Sequence, residues 1–497
     1  MKNFYSLVII VFLAQETLGA QEKPVYDATE EVVVIGAGLA GLDIGYRLLK
    51  AGIPFSIWEA HARVGGRVLS ALQGEGCLVE LGGENIYDGG SADHIRALME
   101  ELGIELSTTV RGSRKRYHFD GMKHIDFDDA LRAWNITPKK LKKKLMRLQK
   151  SARNMQEVLL KLFGSSESVL YQSFSMRLAA YEGAPVEDLS PLCTETLCHI
   201  ITNKMKHVDV SKYALYGFAK EGNSCIAETL ADAMRHCIHL SRPLISLEKD
   251  GGVYRLSFAS GDVIYARHVV LTIPCPVYRA IQFGEKVIPP DRLEAIRGII
   301  CGTNAKIIVP VRPPMHEMGV CTGNSYVMAF QGSRENSVTM FYIGDQGRFT
   351  QETITDLYQR DRALISNLYE VLEGLPQPCI AQDMPYAQYK GPVGYSWSED
   401  PYVQCSYSCL GMGQERLFTS LGYYANEQVK TLFAPIDDSL FFAGEAASVL
   451  LAFGGTMEAA VESGERIARI LIRKLRSQYV TDKMKPVVES QEEAVIK

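Results

Sequence analysis

The sequence predicts an α/β chain whose βαβ core is assembled from separated stretches and joined to a second domain of α+β type. Three observations predict it. Residues 30 to 58 read as strand, glycine turn, helix and strand in that order. A second buried-strand run, VVLTIP (Val269–Pro274), comes much later in the chain. A short strand, SLFFA (Ser439–Ala443), then runs into Gly444 and Glu445, and the helical pattern TMEAAVESGERIARILIRKL closes the fold.

Taken in order, EEVVVIGAG (Glu30–Gly38) is an apolar strand that ends in a glycine turn. LAGLDIGYRLLKAG has helical periodicity and stops at Gly52, and PFSIWEA is the next strand. Gly36, Gly38 and Gly41 form G-x-G-x-x-G between strand and helix. The first glycine permits the tight turn, the second lets backbone approach a pyrophosphate, and the third lets helix and strand pack closely. The helix start offers free N–H groups to phosphate charge. Glu59 closes the second strand, where a carboxylate takes the ribose hydroxyl pair. Together these predict a Rossmann-like dinucleotide site.

Helical patterning dominates from about Ala92 to Leu197, and another helix follows the polar stretch that begins at Lys220. Alternating strands joined by Asp-Gly-type turns run from Pro243 to Pro274. AKIIVPV (Ala305–Val311) and SVTMFYIG (Ser337–Gly344) are further strands. The expected organisation is a dinucleotide domain from 29–91, 221–299 and 421–476, and a substrate domain from 92–220 and 300–420. The charged tail 477–497 is expected to be disordered.

A second loop, RVGGR (Arg63–Arg67), decides between the dinucleotides. A nicotinamide site has no use for a further Gly-Gly-Arg so close to the acid. A flavin dinucleotide is longer and lies extended. Gly65 and Gly66 supply close backbone along its pyrophosphate, and Arg67 supplies charge.

GAGLAGL (with Leu39 and Ala40), EA (Glu59 and Ala60), RVGGR and ELGGENI (Glu80–Ile86, with Gly82 and Gly83) resemble the flavin-dependent amine oxidases, the group of monoamine and polyamine oxidases. The resemblance runs from about Val32 to Arg473. FAGEAA (Phe442–Ala447) and the stretch from Gly454 to Ala468 look like the family's C-terminal flavin segment. It implies that Gly444, Glu445, Gly455, Thr456 and Met457 meet the flavin, with the helix from Met457 pointing its N-terminus at the ring. Lys306, inside an apolar strand, matches the lysine that holds a water beside the reactive flavin nitrogen. GYSWSEDPYVQCSYSCLG (Gly394–Gly411) is similar to a segment of polyamine-oxidase-like members. Trp397 would pack on the flavin, and Tyr407 would form one wall of an aromatic cage. Leu244, in RPLISL, matches the backbone that meets adenine. Ser406 stands where monoamine oxidases carry a cysteine bonded to flavin, so FAD is expected to be non-covalent. Cys405, one position earlier, leaves the covalent bond an open question.

The chain also departs from that pattern. His61 replaces an arginine and weakens one adenosine contact. Thr456 replaces the second aromatic of the cage, with Phe453 nearby. Asn85 stands where L-amino-acid oxidases place a carboxylate-clamping arginine, which favours amines over amino acids. Glu84, Tyr87 and Asp88 are read as solvent-facing loop residues rather than a diamine's acidic partners. The resemblance implies an amine oxidised to an imine or aldehyde, with oxygen reduced to hydrogen peroxide and no strong base required. Two other readings stay open: another flavin oxidoreductase, such as an L-amino-acid oxidase or a desaturase, and a non-catalytic flavoprotein.

The bulk properties agree. The chain has 497 residues, 46% hydrophobic and 22% charged, with net charge −5. That suits two or three globular domains and argues against nucleic acid as a partner. The basic run Thr137–Arg153 reads as a solvated helix face with Leu141, Leu145 and Leu148 turned inward, rather than a membrane site. Residues 1–20 carry Lys2, the apolar stretch Phe4–Ala14 and a small-residue end, the pattern of a leader cleaved at Ala20. Export is therefore expected. The eleven cysteines form no metal framework, so no metal is expected.

Overall fold

The computed structural model describes residues 29–483, apart from 74–76, 88–91, 112–114, 121–123, 203–213, 313–318, 324–325, 332–336, 375–378, 381–390 and 452–453. The expected leader lies outside the described residues.

The strand Thr29–Ile35 pairs in parallel with Phe55–Trp58 on one side and Val263–Leu271 on the other. Ile238–His239 extends the first edge. On the far side, Leu440–Phe442 runs parallel to the end of Val263–Leu271, whose earlier half pairs with the antiparallel Val253–Phe258. The resulting sheet has eight strands. Its central strand is buried on both faces, as a parallel strand must be. Val32 and Val34 point to the core formed with Leu42, Ile44 and Val461. Val33 and Ile35 point to the core with Leu256, Leu271 and Phe442. The helix Leu39–Ala51 packs against the closing helix Met457–Lys483. That closing helix overtakes the first residues of the expected disordered tail.

A second sheet of eight strands has Ala305–Arg312, Ser337–Tyr342, Val327–Gln331 and Gly319–Thr322 side by side. Its register sorts the side chains. Lys306 pairs with Phe341 and Tyr395, Phe341 with Met328, and Phe330 with Val320. Paired residues share a face, and so do residues two apart. Lys306, Phe341, Met328, Phe330 and Val320 therefore lie on one face. The opposite face carries Ile307, Met340, Ala329 and Cys321, packed on the helices Ile354–Asp361 and Ala363–Glu373.

The helices Phe127–Trp134, Pro138–Ser151, Met155–Phe163, Val169–Glu182 and Thr194–Thr202 pack around Phe127, Phe174 and Leu178. In the basic helix Leu141 and Leu145 are buried and Leu148 is half-buried, while Lys139, Lys142 and Lys143 are exposed. The leucines turn inward as expected. One expectation needs correction: within the stretch read as helical, Leu106–Arg111, Lys115–Phe119 and His124–Asp126 are strands. The last two join the second sheet, so tertiary pairing overrides a short local pattern. Among the described residues no helix is long and apolar enough to cross a membrane.

Candidate active site

A cavity of about 730 Å³ runs between the two sheets. At one end lies the glycine turn. Gly36 has φ +106°, and its N–H donates to Trp58 O at 2.8 Å. Gly38 caps the helix Leu39–Ala51 with no side-chain bond, and a Cβ there would meet nothing within 4 Å. Among the described residues no side chain caps this helix start, which presents its N–H groups to the cavity that Leu39 and Ala40 line. Gly41, counted with the cofactor loop, does not line the cavity. A Cβ there would lie 2.0 Å from Gly36 O, so its work is packing. The second loop clasps the first: Gly65 N donates to Ala37 O at 2.8 Å, and a Cβ on Gly66 would lie 3.2 Å from Gly38 Cα. Arg63 ties this loop down through Gly66 O at 2.7 Å.

Glu59 accepts from Ala37 N at 2.6 Å and His61 N at 2.8 Å. Ala60 lines the cavity beside it, as do Leu244 and the Thr272–Pro274 stretch. Trp58, which also lines the cavity, stacks between His239 at 4.3 Å and Phe258 at 4.4 Å. His61 has partners that its sequence position did not reveal. Its Nδ1 meets Glu59 at 3.2 Å and its Nε2 meets Asp400 at 2.9 Å. Hydrogen bonds to Asp400 and then Glu59 push its pKa up to about 9. His61 is therefore a cation that joins the dinucleotide strand to the loop after Trp397. Because its folded pKa is raised, the stabilisation is complete below the unfolded pKa near 6.5 and is lost as pH rises through about 9. Denaturant unfolding at pH 6 and pH 9.5 should differ between native chain and His61→Gln by up to about 3 kcal/mol, with the variant showing the flatter profile.

In the middle of the cavity Arg67 donates to Glu445 at 3.2 Å and to Ser406 O at 3.0 Å. Glu445 also accepts from Ser408 N at 3.0 Å, Ser408 Oγ at 2.5 Å and Gly455 N at 3.2 Å. Burial pushes this carboxyl up, but Arg67 and the Ser408 bonds outweigh burial and hold it below the usual range. Gly444, Gly455, Thr456 and Met457 all line the wall. Thr456 Oγ1 accepts from Ala459 N at 3.2 Å, so it caps the closing helix, whose N-terminus faces the cavity. Gly82 must be glycine, because a Cβ would lie 1.9 Å from Arg67 O, and a Cβ on Gly83 would lie 2.9 Å from the Met457 side chain and force it to shift. Phe453, Asp88 and the Tyr87 side chain lie outside the described residues.

Trp397 donates to Leu81 O at 3.1 Å and is 5% exposed, at the cavity wall. Tyr407 donates to Ala180 O at 2.6 Å and accepts from Asn304 Nδ2 at 3.1 Å. Its ring covers Gly183 and Gly455, where a Cβ would come within 2.7 Å. Lys306 is no solvent-facing edge residue. Its Nζ donates to Gly82 O at 2.8 Å and Glu84 Oε2 at 3.0 Å. Glu84 overturns the solvent-facing reading, because its side chain is only 9% exposed and lines the cavity. The sheet face beside Lys306 continues the wall with Val320, Met328, Phe330 and Phe341. Sequence reading did not connect these four residues with the site. Strand alternation marked one face of such residues, but not which face meets the cavity.

These residues fit FAD. Gly38 leaves open room beside an uncapped helix start, Glu59 stands at the strand end for a ribose, and a second helix start faces the other end. Ser406 Oγ is buried at the cavity wall with no hydrogen-bond partner among the described residues. Cys405 is 1% exposed and does not line the cavity; it lies behind the wall against Cys301, with Arg67 Nη1 reaching its Sγ at 3.8 Å. That arrangement suits a non-covalent cofactor. Among the described residues no His, Cys, Asp and Glu group could hold a metal.

Fold and site thus define a flavoprotein oxidoreductase. A family model for flavin-containing amine oxidoreductases matches residues 39–472. The chain is 22% identical to an L-amino-acid oxidase of Bungarus fasciatus over 477 residues, 88% of this chain and 86% of that one. It is 23% identical to the flavin-containing amine oxidase B of Bos taurus over 475 residues, 90% and 86% of the two chains. The cyclohexylamine oxidase from Brevibacterium oxydans has the same fold, with TM-score 0.67 at 16% identity over 90% of this chain and 100% of that one. The chain belongs to the flavin-containing amine oxidoreductase family, and FAD is its cofactor.

Proposed function

We propose that this chain is an exported oxidase of amines that lack an α-carboxylate, with FAD held non-covalently and oxygen as electron acceptor. One observation carries the choice of substrate. Among the described residues that line the cavity, every cation already has a carboxylate partner. Arg67 has Glu445, Arg242 has Asp262 at 2.5 Å, Lys306 has Glu84, and His61 has Glu59 and Asp400. A substrate carboxylate would have to break one of these pairs or stay buried and unpaired. Asn85 at the clamp position supports the same reading. FAD, when bound, supplies the redox chemistry by accepting the electron pair lost from the amine carbon. The chain's part is to exclude water, orient the amine with Tyr407 and Trp397, and set the positive charge of Lys306 and of the closing helix start at the wall. Non-covalent binding is supported by Ser406 in place of a cysteine, and export by the leader pattern of residues 1–20.

The test compares 2-phenylethylamine with L-phenylalanine, which differ by the carboxylate, in anaerobic flavin reduction. The amine should act at concentrations lower by about 100-fold or more, the equivalent of about 3 kcal/mol for an unpaired buried charge. Equal or better reduction by the amino acid would transfer the chain to amino-acid oxidation.

A further inference from the structure

The cavity wall says more about the amine. Lys306, Phe341, Met328, Phe330 and Val320 share one sheet face by register. The face also carries Thr339, Thr322, His118 and Arg116, none of which lines the cavity. The lining part is apolar apart from Lys306. It packs with Met176, Ala179 and Ile343 as a small cluster of its own, distinct from the core on the other side of the sheet. Phe330 and Phe341 lie 6.3 Å apart, tilted by 47°.

Three carboxylates line the cavity among the described residues: Glu59, Glu84 and Glu445. Glu59 is bound to the first glycine loop and His61, and Glu445 to Arg67, Ser408 and Gly455. Both belong to the dinucleotide end. Glu84 alone lies beside the apolar face, and its charge is met by Lys306. Behind it, Glu80 is 2% exposed and is held by Ser70 Oγ at 2.8 Å and Asn223 N at 2.9 Å.

Building on the proposed amine oxidation, we infer that Glu84 and this sheet face determine specificity: the substrate is a monoamine with an apolar alkyl or aryl body, not a diamine or polyamine. A second ammonium on that face would be buried without an anionic partner, at a cost that apolar contact does not return. An apolar body gains free energy with each carbon that it removes from water. Glu84 has a second effect. By pairing with Lys306 it denies carboxylates the cation that lines the cavity beside the apolar residues, so it acts against acids rather than for diamines.

The experiment uses the FAD-loaded protein. Hexylamine and 1,6-diaminohexane have the same carbon chain and differ by the second ammonium. Anaerobic flavin reduction should need about tenfold or more less hexylamine than diamine. Separately, benzoate, an apolar carboxylate that is not oxidised, is titrated by its perturbation of the flavin spectrum. Glu84→Gln frees Lys306 and should tighten benzoate about tenfold, while Glu84→Asp keeps the weak native binding. Diamine equal to or better than hexylamine would overturn the inference and leave amine oxidation standing. No bleaching by any amine would instead remove the proposed function itself. Unchanged benzoate affinity in Glu84→Gln, with FAD retained, would remove Glu84 from the account. If Glu84→Gln loses FAD, the hexylamine and diamine comparison on the native chain decides the substrate class.

Discussion

Gly38→Ala and Gly41→Ala, three residues apart in one motif, are expected to fail in opposite ways. At Gly38 a Cβ meets nothing within 4 Å and φ is −73°, so alanine is sterically accepted by the protein alone. The apoprotein should keep its stability to within about 1 kcal/mol, the range of a helix-cap change. The added methyl occupies the room into which backbone must admit the pyrophosphate. FAD affinity should therefore fall by about two orders of magnitude or more. At Gly41 a Cβ would lie 2.0 Å from Gly36 O, a backbone atom that cannot move without disturbing the turn. Here the fold should suffer first, by about 3 kcal/mol or more. Thermal unfolding of both apoproteins, with FAD titration of whichever folds, checks the pair. A Gly38→Ala chain that binds FAD normally would place the pyrophosphate elsewhere.

Glu445→Ala is expected to be the most damaging single change at the centre of the site. It leaves Arg67, half-buried beside Ser406, with its carboxylate partner gone, and removes the acceptor of Ser408 N, Ser408 Oγ and Gly455 N. Breaking such a pair from one side costs about 3–5 kcal/mol. The loss falls on the segment that links the Tyr407 loop to the closing helix, so FAD content should drop along with stability. Glu445→Gln keeps one acceptor oxygen and should fall between. Urea unfolding together with the FAD-to-protein ratio measures both effects. If Glu445→Ala retained full FAD and native stability, the Arg67 and Glu445 pair would be no more than a neighbouring contact.

The strands and loops of the dinucleotide core were legible because their constraints are local. Gly36, Gly38 and Gly41 each answer to a backbone requirement that acts within a few residues, and Val32–Ile35 is apolar because both sheet faces are covered. Glu59 was legible for the same reason: the motif fixes its distance along the chain. Lys306 was legible because a cation inside an apolar strand demands an explanation. What sequence could not supply were pairings between distant segments. His61 reads as a lost arginine until Asp400 is seen against its Nε2. Glu84 reads as a loop acid until Lys306, far along the chain, is seen to bury it. The strands at 106–126 exist because of their partners, Ala214–Ala219 for the first, and Gly319–Thr322 and each other for the last two, not because their own pattern is strong. The apolar chamber required strand register, which no single strand contains.

The most direct test of the account is an anaerobic titration of the purified protein with a simple monoamine, followed visibly and then opened to air. The expected record begins with an oxidised flavin spectrum whose chromophore is released as free FAD on acid precipitation. The spectrum then bleaches as amine is added and returns with air, one peroxide appearing for each flavin restored. A bound flavin that no amine bleaches would contradict amine oxidation by this chain, however well the residues of the cavity suit it.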